Sequence, residues 1–280
     1  MIFILLLIGL CIYFWNPIWR TIEGFEIKKN AIVVLTRGYD SKDKYDLLIA
    51  RNQSIETVFY QHVNPSHYTV LILHEGNITE TQQAYIQSKT KMPLIFKTIP
   101  FQQTVVNRPQ CPNTPLSESF SYGYKNMCHF WSISFLEELK EYEYVIRVDE
   151  DCTLFEMDPD LIEEYTRDHI YFSSAHYQQG DVAEVVVGMK EFFDKDLDRI
   201  PPPVRMPYTN VMIVNVPYFR SNKKIQDLLS RIDESQCIFS NRWGDLPIWG
   251  YLLSYWVDPE HVKEDKTITY HHGSHHTRIN

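Results

Sequence analysis

Along this chain, short runs of apolar residues that fit strands take turns with apolar stripes at helical spacing, the signature of an alternating α/β fold. Ala31–Thr36 reads AIVVLT, a strand buried on both faces, and Arg37-Gly38 follows as a strand-to-helix turn. Tyr45, Leu48, Ile55 and Phe59 mark a helix over 45–60. Tyr68–Leu73 and Leu94–Lys97 are further strands, and the polar, proline-broken segment 100–119 reads as a loop. Tyr124, Met127, Trp131, Phe135 and Leu139 form the stripe of a helix leading into the next strand. Beyond it the pattern predicts a helix over 161–166 and strands over 171–174 and 211–216. Helices over 225–232 and 247–256 and an extended piece over 267–270 complete the pattern. The expected fold is one α/β domain with a mainly parallel central sheet and helices on both faces.

The strand over 142–148 ends on three consecutive acids, Asp149-Glu150-Asp151. Ligands gather outside the carboxyl ends of such strands. In extended backbone Asp149 and Asp151 face one way and Glu150 the other. The pair then offers hard oxygen donors suited to Mg²⁺ or Mn²⁺, which neutralise nucleotide phosphates, as in the Asp-x-Asp signature of nucleotide-sugar glycosyltransferases. A solvated acidic turn is the plain alternative.

Composition narrows the partners. With 280 residues, 44% of them hydrophobic, the chain can bury the core of one large domain. A net charge of −9 with scattered basic residues argues against nucleic acid. Met1–Trp15 lacks any charged side chain, and continued through Trp19 it approaches the length of a membrane span. The expected organisation is an uncleaved anchor over 1–19, a linker over 20–29 and the catalytic domain over 30–280. Arg20, Lys28 and Lys29 behind the anchor favour a cytosolic domain by the positive-inside rule, whereas the sequons Asn52-Gln-Ser54 and Asn77-Ile-Thr79 favour a Golgi or ER lumen. Cys111, Cys128, Cys152 and Cys237 allow two disulfides or four thiols.

Five segments in register carry a resemblance: Tyr124-Lys-Asn-Met-Cys-His-Phe130, Arg147-Val-Asp-Glu-Asp151, Tyr218-Phe-Arg-Ser221, Arg242-Trp-Gly-Asp-Leu-Pro247 and Ile268-Thr-Tyr-His-His272. Together they resemble the fungal α-1,2-mannosyltransferases, glycosyltransferase family 15. The resemblance implies a GT-A fold, Mn²⁺ or Mg²⁺, and transfer of mannose from GDP-mannose to a glycan or glycoprotein acceptor with retention. It assigns Asp149 and the more distant His272 to the metal, with Asp151 closing the acidic motif and Arg37 near the nucleotide. Asp245 and Tyr124 become the candidate catalytic residues, the plain readings being a helix cap for Asp245 and core for Tyr124. Two departures stand out. Glu150 replaces a proline, and Met212 stands where the family carries a glutamate proposed as nucleophile. A thioether cannot attack an anomeric carbon as a carboxylate does. The alternatives are a catalytically inactive carbohydrate-binding descendant, a transferase for another nucleotide sugar, or a nucleotidyltransferase, against which the lack of a glycine- and lysine-rich phosphate loop counts. Among His271, His272, His275 and His276, a zinc cluster competes with a frayed polar terminus.

Overall fold

Strand β1 (Lys29–Leu35) is apolar on both sides because both of its faces are covered. Ala31 and Val33 belong to one packed layer, and Ile32 and Val34 to layers on the other side. This computed structural model describes residues 29–101, 111, 114–195, 197, 200–273 and the backbone of 277–279. The expected membrane anchor, nearly all of the linker, and His275 and His276 lie outside the described residues. Among the described residues no helix is long and apolar enough to cross a membrane.

After β1 come β2 (Tyr68–His74), β3 (Leu94–Thr98), β4 (Tyr142–Val148), β5 (Cys152–Glu156) and β6 (Phe172–Ser174). The remaining strands are β7 (Tyr177–Gln178), β8 (Met206–Pro207), β9 (Val211–Asn215), β10 (Val262–Glu264), β11 (Thr269–His272) and β12 (Thr277–Ile279). Seven of them form the central sheet in the order β10-β6-β9-β4-β1-β2-β3. Its pairings are parallel except that β9 runs antiparallel to both β4 and β6. The mainly parallel sheet expected from the sequence is present. A second sheet, β12-β11-β5, stands against the end of β4.

Side-chain alternation divides the sheet's two faces. Val145, Met212 and Val214 join Trp131, Phe135, Phe219 and Trp249 on one side. Tyr144, Ile146, Val148, Val211 and Ile213 meet Ile55, Phe59, Leu154 and Tyr165 on the other. Helix Asp46–Val58 covers the second face, and Asp245–Trp256 the first. The expected helix around Trp131 runs as Tyr122–His129, a π-helical turn over Phe130–Ser134, and Phe135–Glu138. The wider turn admits one extra residue and re-aims the stripe, so Trp131, Phe135 and Leu139 are buried while Tyr124 and Met127 sit at the margin.

Three expectations change. The supposed loop over 100–119 includes a short helix, Pro115–Ser119, started by a Thr114 capping box. Asn52 is buried inside its helix and accepts a hydrogen bond from Arg51, so that sequon is closed to glycosylation in the folded chain, whereas Asn77 is exposed. Of the four cysteines, Cys111 and Cys237 form a disulfide, and Cys128 and Cys152 are buried thiols.

Candidate active site

β4 delivers Arg147 to the same face as Met212, its partner across the ladder. The guanidinium is almost wholly buried, lying 4.6 Å from the Trp131 ring centroid. Its Nε and Nη2 donate to the two oxygens of Asp149 at 2.7 and 2.9 Å, and its Nη1 donates to Asp245. Burial opposes the charge on Arg147, but the two carboxylates outweigh it and raise its pKa above the usual arginine value. Burial likewise pushes the Asp149 carboxyl up, with Arg147 pulling it down and the charges of Asp245 and Asp151 adding to the rise.

The three acids form a turn closed by Cys152 N–H donating to the Asp149 carbonyl at 3.1 Å, not the extended backbone expected, so Asp149 and Asp151 do not share a direction and all three diverge. Glu150 turns toward the end of β1, where the hydroxyls of Thr36 and Tyr39 both donate to it. Tyr39 is pushed up to about 12, chiefly by burial and then by the Glu150 bond. The exposed Arg37 guanidinium lies 5.1 Å from the Tyr39 ring centroid, so Arg37 is joined to the acidic turn through Tyr39 and Glu150. The backbone of Gly38 passes so close to Asn77 that a Cβ would meet its carbonyl oxygen at 2.1 Å, and Gly38 N–H donates to the Asn77 side chain.

Asp151 turns instead toward β11. Its Oδ2 lies 3.4 Å from His272 Nε2, and Gly273 N–H donates to its carbonyl at 2.8 Å. Two residues with no local signal in the sequence hold His272: Tyr208 OH at 3.2 Å from Nδ1 and the Asn210 amide at 3.1 Å from Nε2. The same Asn210 amide reaches Asp149 at 3.4 Å, and Asn210 C=O accepts the Asp149 N–H. Asn210 thereby links Asp149 to His272. Asp149 itself is committed to Arg147, and among the described residues the donors that come together are Asp151, Cys152 and His272, with ligand atoms within 4.8 Å of one another. A carboxylate and a neutral imidazole at such separation fit a divalent cation.

Arg51 also has no local signal. It is fully buried and donates to the carbonyls of Val148 at 2.9 Å, the last residue of β4, and Val33 at 3.1 Å, two residues before the end of β1. Burial pushes its pKa down, with Asp149 and Glu150 among the charges that oppose this. A positive charge thus underlies the acidic turn.

Asp245 opens helix Asp245–Trp256 but does not cap it; Gly244 is the N-cap and the Asp245 carboxylate goes to Arg147. Arg242 precedes it in the left-handed region, at φ 62°. That turn sends the Arg242 guanidinium to Tyr124 OH at 2.6 Å and Asp181 at 3.0 Å, over the rings of Phe120 and Tyr124. Burial raises the Tyr124 hydroxyl, with Asp245 among the nearby charges. Tyr124, Arg242, Asp245, Arg147, Asp149, Asn210 and His272 are therefore neighbours in one network. Met212 is wholly buried beneath Arg147.

No family model matches the chain. In sequence it is 22% identical over 276 residues to glycolipid 2-alpha-mannosyltransferase 1 of Candida albicans, an alignment covering 87% of this chain and 62% of that protein. The chain thus spans less than two thirds of the curated relative it matches. Its fold is similar to core-mannan synthase A (CmsA/Ktr4) of Aspergillus fumigatus, solved in an Mn/GDP form, with a TM-score of 0.68 at 16% identity over 87% of this chain and 74% of that one. It is also similar to the mannosyltransferase Ktr4p of S. cerevisiae, with a TM-score of 0.69 at 18% identity over 89% and 72%. Mouse xyloside xylosyltransferase 1 matches at a TM-score of 0.53. The resemblance first carried by five short motifs extends through the described domain: the chain has a GT-A-like α/β fold similar to that of fungal mannosyltransferases.

Proposed function

We propose that the chain is a metal-dependent glycosyltransferase that moves mannose from GDP-mannose to a glycan or glycoprotein acceptor with retention. The observation that carries this reading is the network at the end of β4, where the acids, His272 and Asp245 converge around Arg147 and Asn210. The relatives named for mannosyl transfer, one of them solved with Mn and GDP and another with GDP, support it. A divalent cation, when bound, neutralises the donor diphosphate. Asp151 and His272, with Asp149 beside them, would hold it, and the exposed Arg37, joined to the acidic turn through Tyr39 and Glu150, would meet the nucleotide.

Met212 leaves no carboxylate at the family's nucleophile position. Asp245 is the carboxylate that Arg147 holds in place on the same side of the sheet. An ionised Asp245 can stabilise the positive charge that develops at the anomeric carbon without bonding to it. Tyr124, fixed by Arg242, orients the sugar at the margin of the site. A catalytically inactive carbohydrate-binding protein is the second reading, favoured by the complete burial of Met212.

GDP release from GDP-mannose in the presence of Mn²⁺ separates them. Turnover that falls in Asp245→Asn supports the transferase. Metal-dependent GDP binding without turnover under any acceptor supports the inactive protein. The disulfide between Cys111 and Cys237 favours an oxidising lumen, consistent with a Golgi or ER catalytic domain anchored through residues 1–19.

A further inference from the structure

Cys152 is the residue of the acidic turn for which sugar transfer has no use. It begins β5 directly across the ladder from His272, and such partners project from one face with Cβ atoms about 4.5–5.5 Å apart. Its thiol, an Asp151 oxygen and a His272 ring nitrogen all lie within 4.8 Å of one another. The His272 ring is held from both nitrogens, Nδ1 lying 3.2 Å from Tyr208 OH and Nε2 3.1 Å from the Asn210 amide, with Asp151 Oδ2 3.4 Å from Nε2. These contacts fix the plane of the imidazole beside the Asp151 carboxylate and the Cys152 thiol, and ligation through Nε2 exchanges the Asn210 contact for the metal.

Carboxylate, thiolate and imidazole together form a donor set for a borderline-soft cation. Hard Mn²⁺ and Mg²⁺ have little use for sulfur, whereas Zn²⁺ takes all three donors at tetrahedral geometry. We propose that Asp151, Cys152 and His272 form a three-ligand Zn²⁺ site with its fourth position open. On binding, the Cys152 S–H bond breaks, sulfur bonds to zinc and the proton leaves to solvent. Because Asp151 and His272 serve both sites, zinc displaces the hard cation and blocks transfer. That last consequence rests on the function proposed above, whereas zinc ligation does not.

The test uses the full chain, free of any polyhistidine tag, carrying Cys11→Ser and Cys128→Ser. Cys152 is then the remaining thiol outside the Cys111–Cys237 disulfide. Co²⁺ should give a sulfur-to-cobalt charge-transfer band, and X-ray absorption at the zinc edge should show sulfur at about 2.3 Å. Adding Cys152→Ser should abolish the band and weaken Zn²⁺ binding at least about tenfold, and His272→Ala should weaken it comparably. If either variant fails to fold, the zinc-edge spectrum of the parent protein carries the test alone. A shell of nitrogen and oxygen only, or a band that survives Cys152→Ser, overturns the proposal. A sulfur-bound metal in a protein that never releases GDP from GDP-mannose leaves the zinc site standing and refutes the transferase reading instead.

Discussion

Replacing Arg147 with methionine tests whether the centre of the site is electrostatic. The side chain is 3% exposed, binds both oxygens of Asp149, holds Asp245 and lies over Trp131. Removing one partner of a buried pair leaves the other charge uncompensated and costs about 3–5 kcal/mol. For a domain of this size, about 1 kcal/mol moves the thermal midpoint by roughly 2–4 °C, so a fall of roughly 6–20 °C is expected. The penalty should also depend on pH in a defined direction. Burial already raises the Asp149 carboxyl above its ordinary value, and without Arg147 the main influence lowering it is gone. A carboxyl whose folded pKa is raised binds more protons folded than unfolded, so stability is lost as pH climbs through the folded value. The deficit of Arg147→Met should therefore be largest at neutral pH and shrink toward pH 4. Adding Asp245→Asn should return part of the loss, because one of the two stranded charges is removed. Urea unfolding of the unaltered chain, Arg147→Met, Asp245→Asn and the double variant at two pH values measures all of this. A deficit under about 1 kcal/mol at neutral pH, or one that does not change with pH, would refute the reasoning.

GDP with Mn²⁺ should raise the thermal midpoint more than UDP with Mn²⁺ does, and EDTA should erase the effect; a UDP preference would point to a different donor. Asp149→Ala should abolish metal-dependent turnover with the fold retained, judged by circular dichroism alongside GDP release, and unchanged activity would remove Asp149 from the site. His272→Ala should raise the manganese requirement sharply, whereas His271→Ala, whose side chain points to the other face of β11, should do little; equal losses would indicate general destabilisation. Cys237→Ser opens a loop of 126 residues. Chain-entropy reasoning gives about 4.7 kcal/mol for a loop near 100 residues, so a large drop in the urea midpoint is expected, and a small one would mean that the linked segments are already held by packing.

The elements legible in the sequence are those whose burial repeats locally. β1, β2, β4 and β9 are covered on both faces and read as unbroken apolar runs. Helix Lys223–Ser235 buries Ile225, Leu228, Leu229 and Ile232, a plain 3.6-residue stripe. β5 escaped because it follows the acids after a single turn and buries only Cys152 and Leu154. The π-helical turn escaped because one inserted residue leaves no mark on composition. Within the site, the acids announced themselves by standing at the end of a buried strand, whereas Asp245 and His272 stood out only through the family motifs. Asn210, Tyr208 and Arg51 gave no signal, since each is an isolated polar residue whose partners lie far away in sequence. Only folding brings such pairs together.

Arg51 also bears on how the domain assembles. Its guanidinium joins a helix to strand positions 18 and 97 residues away, and its partners there are carbonyl oxygens. Burying that charge is unfavourable until β1, β4 and the helix are all in place, because each supplies part of its solvation. The acidic turn should consequently be a late and all-or-none product of folding, with no native-like half-formed state in which Asp149 to Asp151 already have their final positions. In pulse-labelled hydrogen exchange, the amides of Asp149 and Cys152 would gain protection together with the core of helix Asp46–Val58, and after the β1–β2 pair.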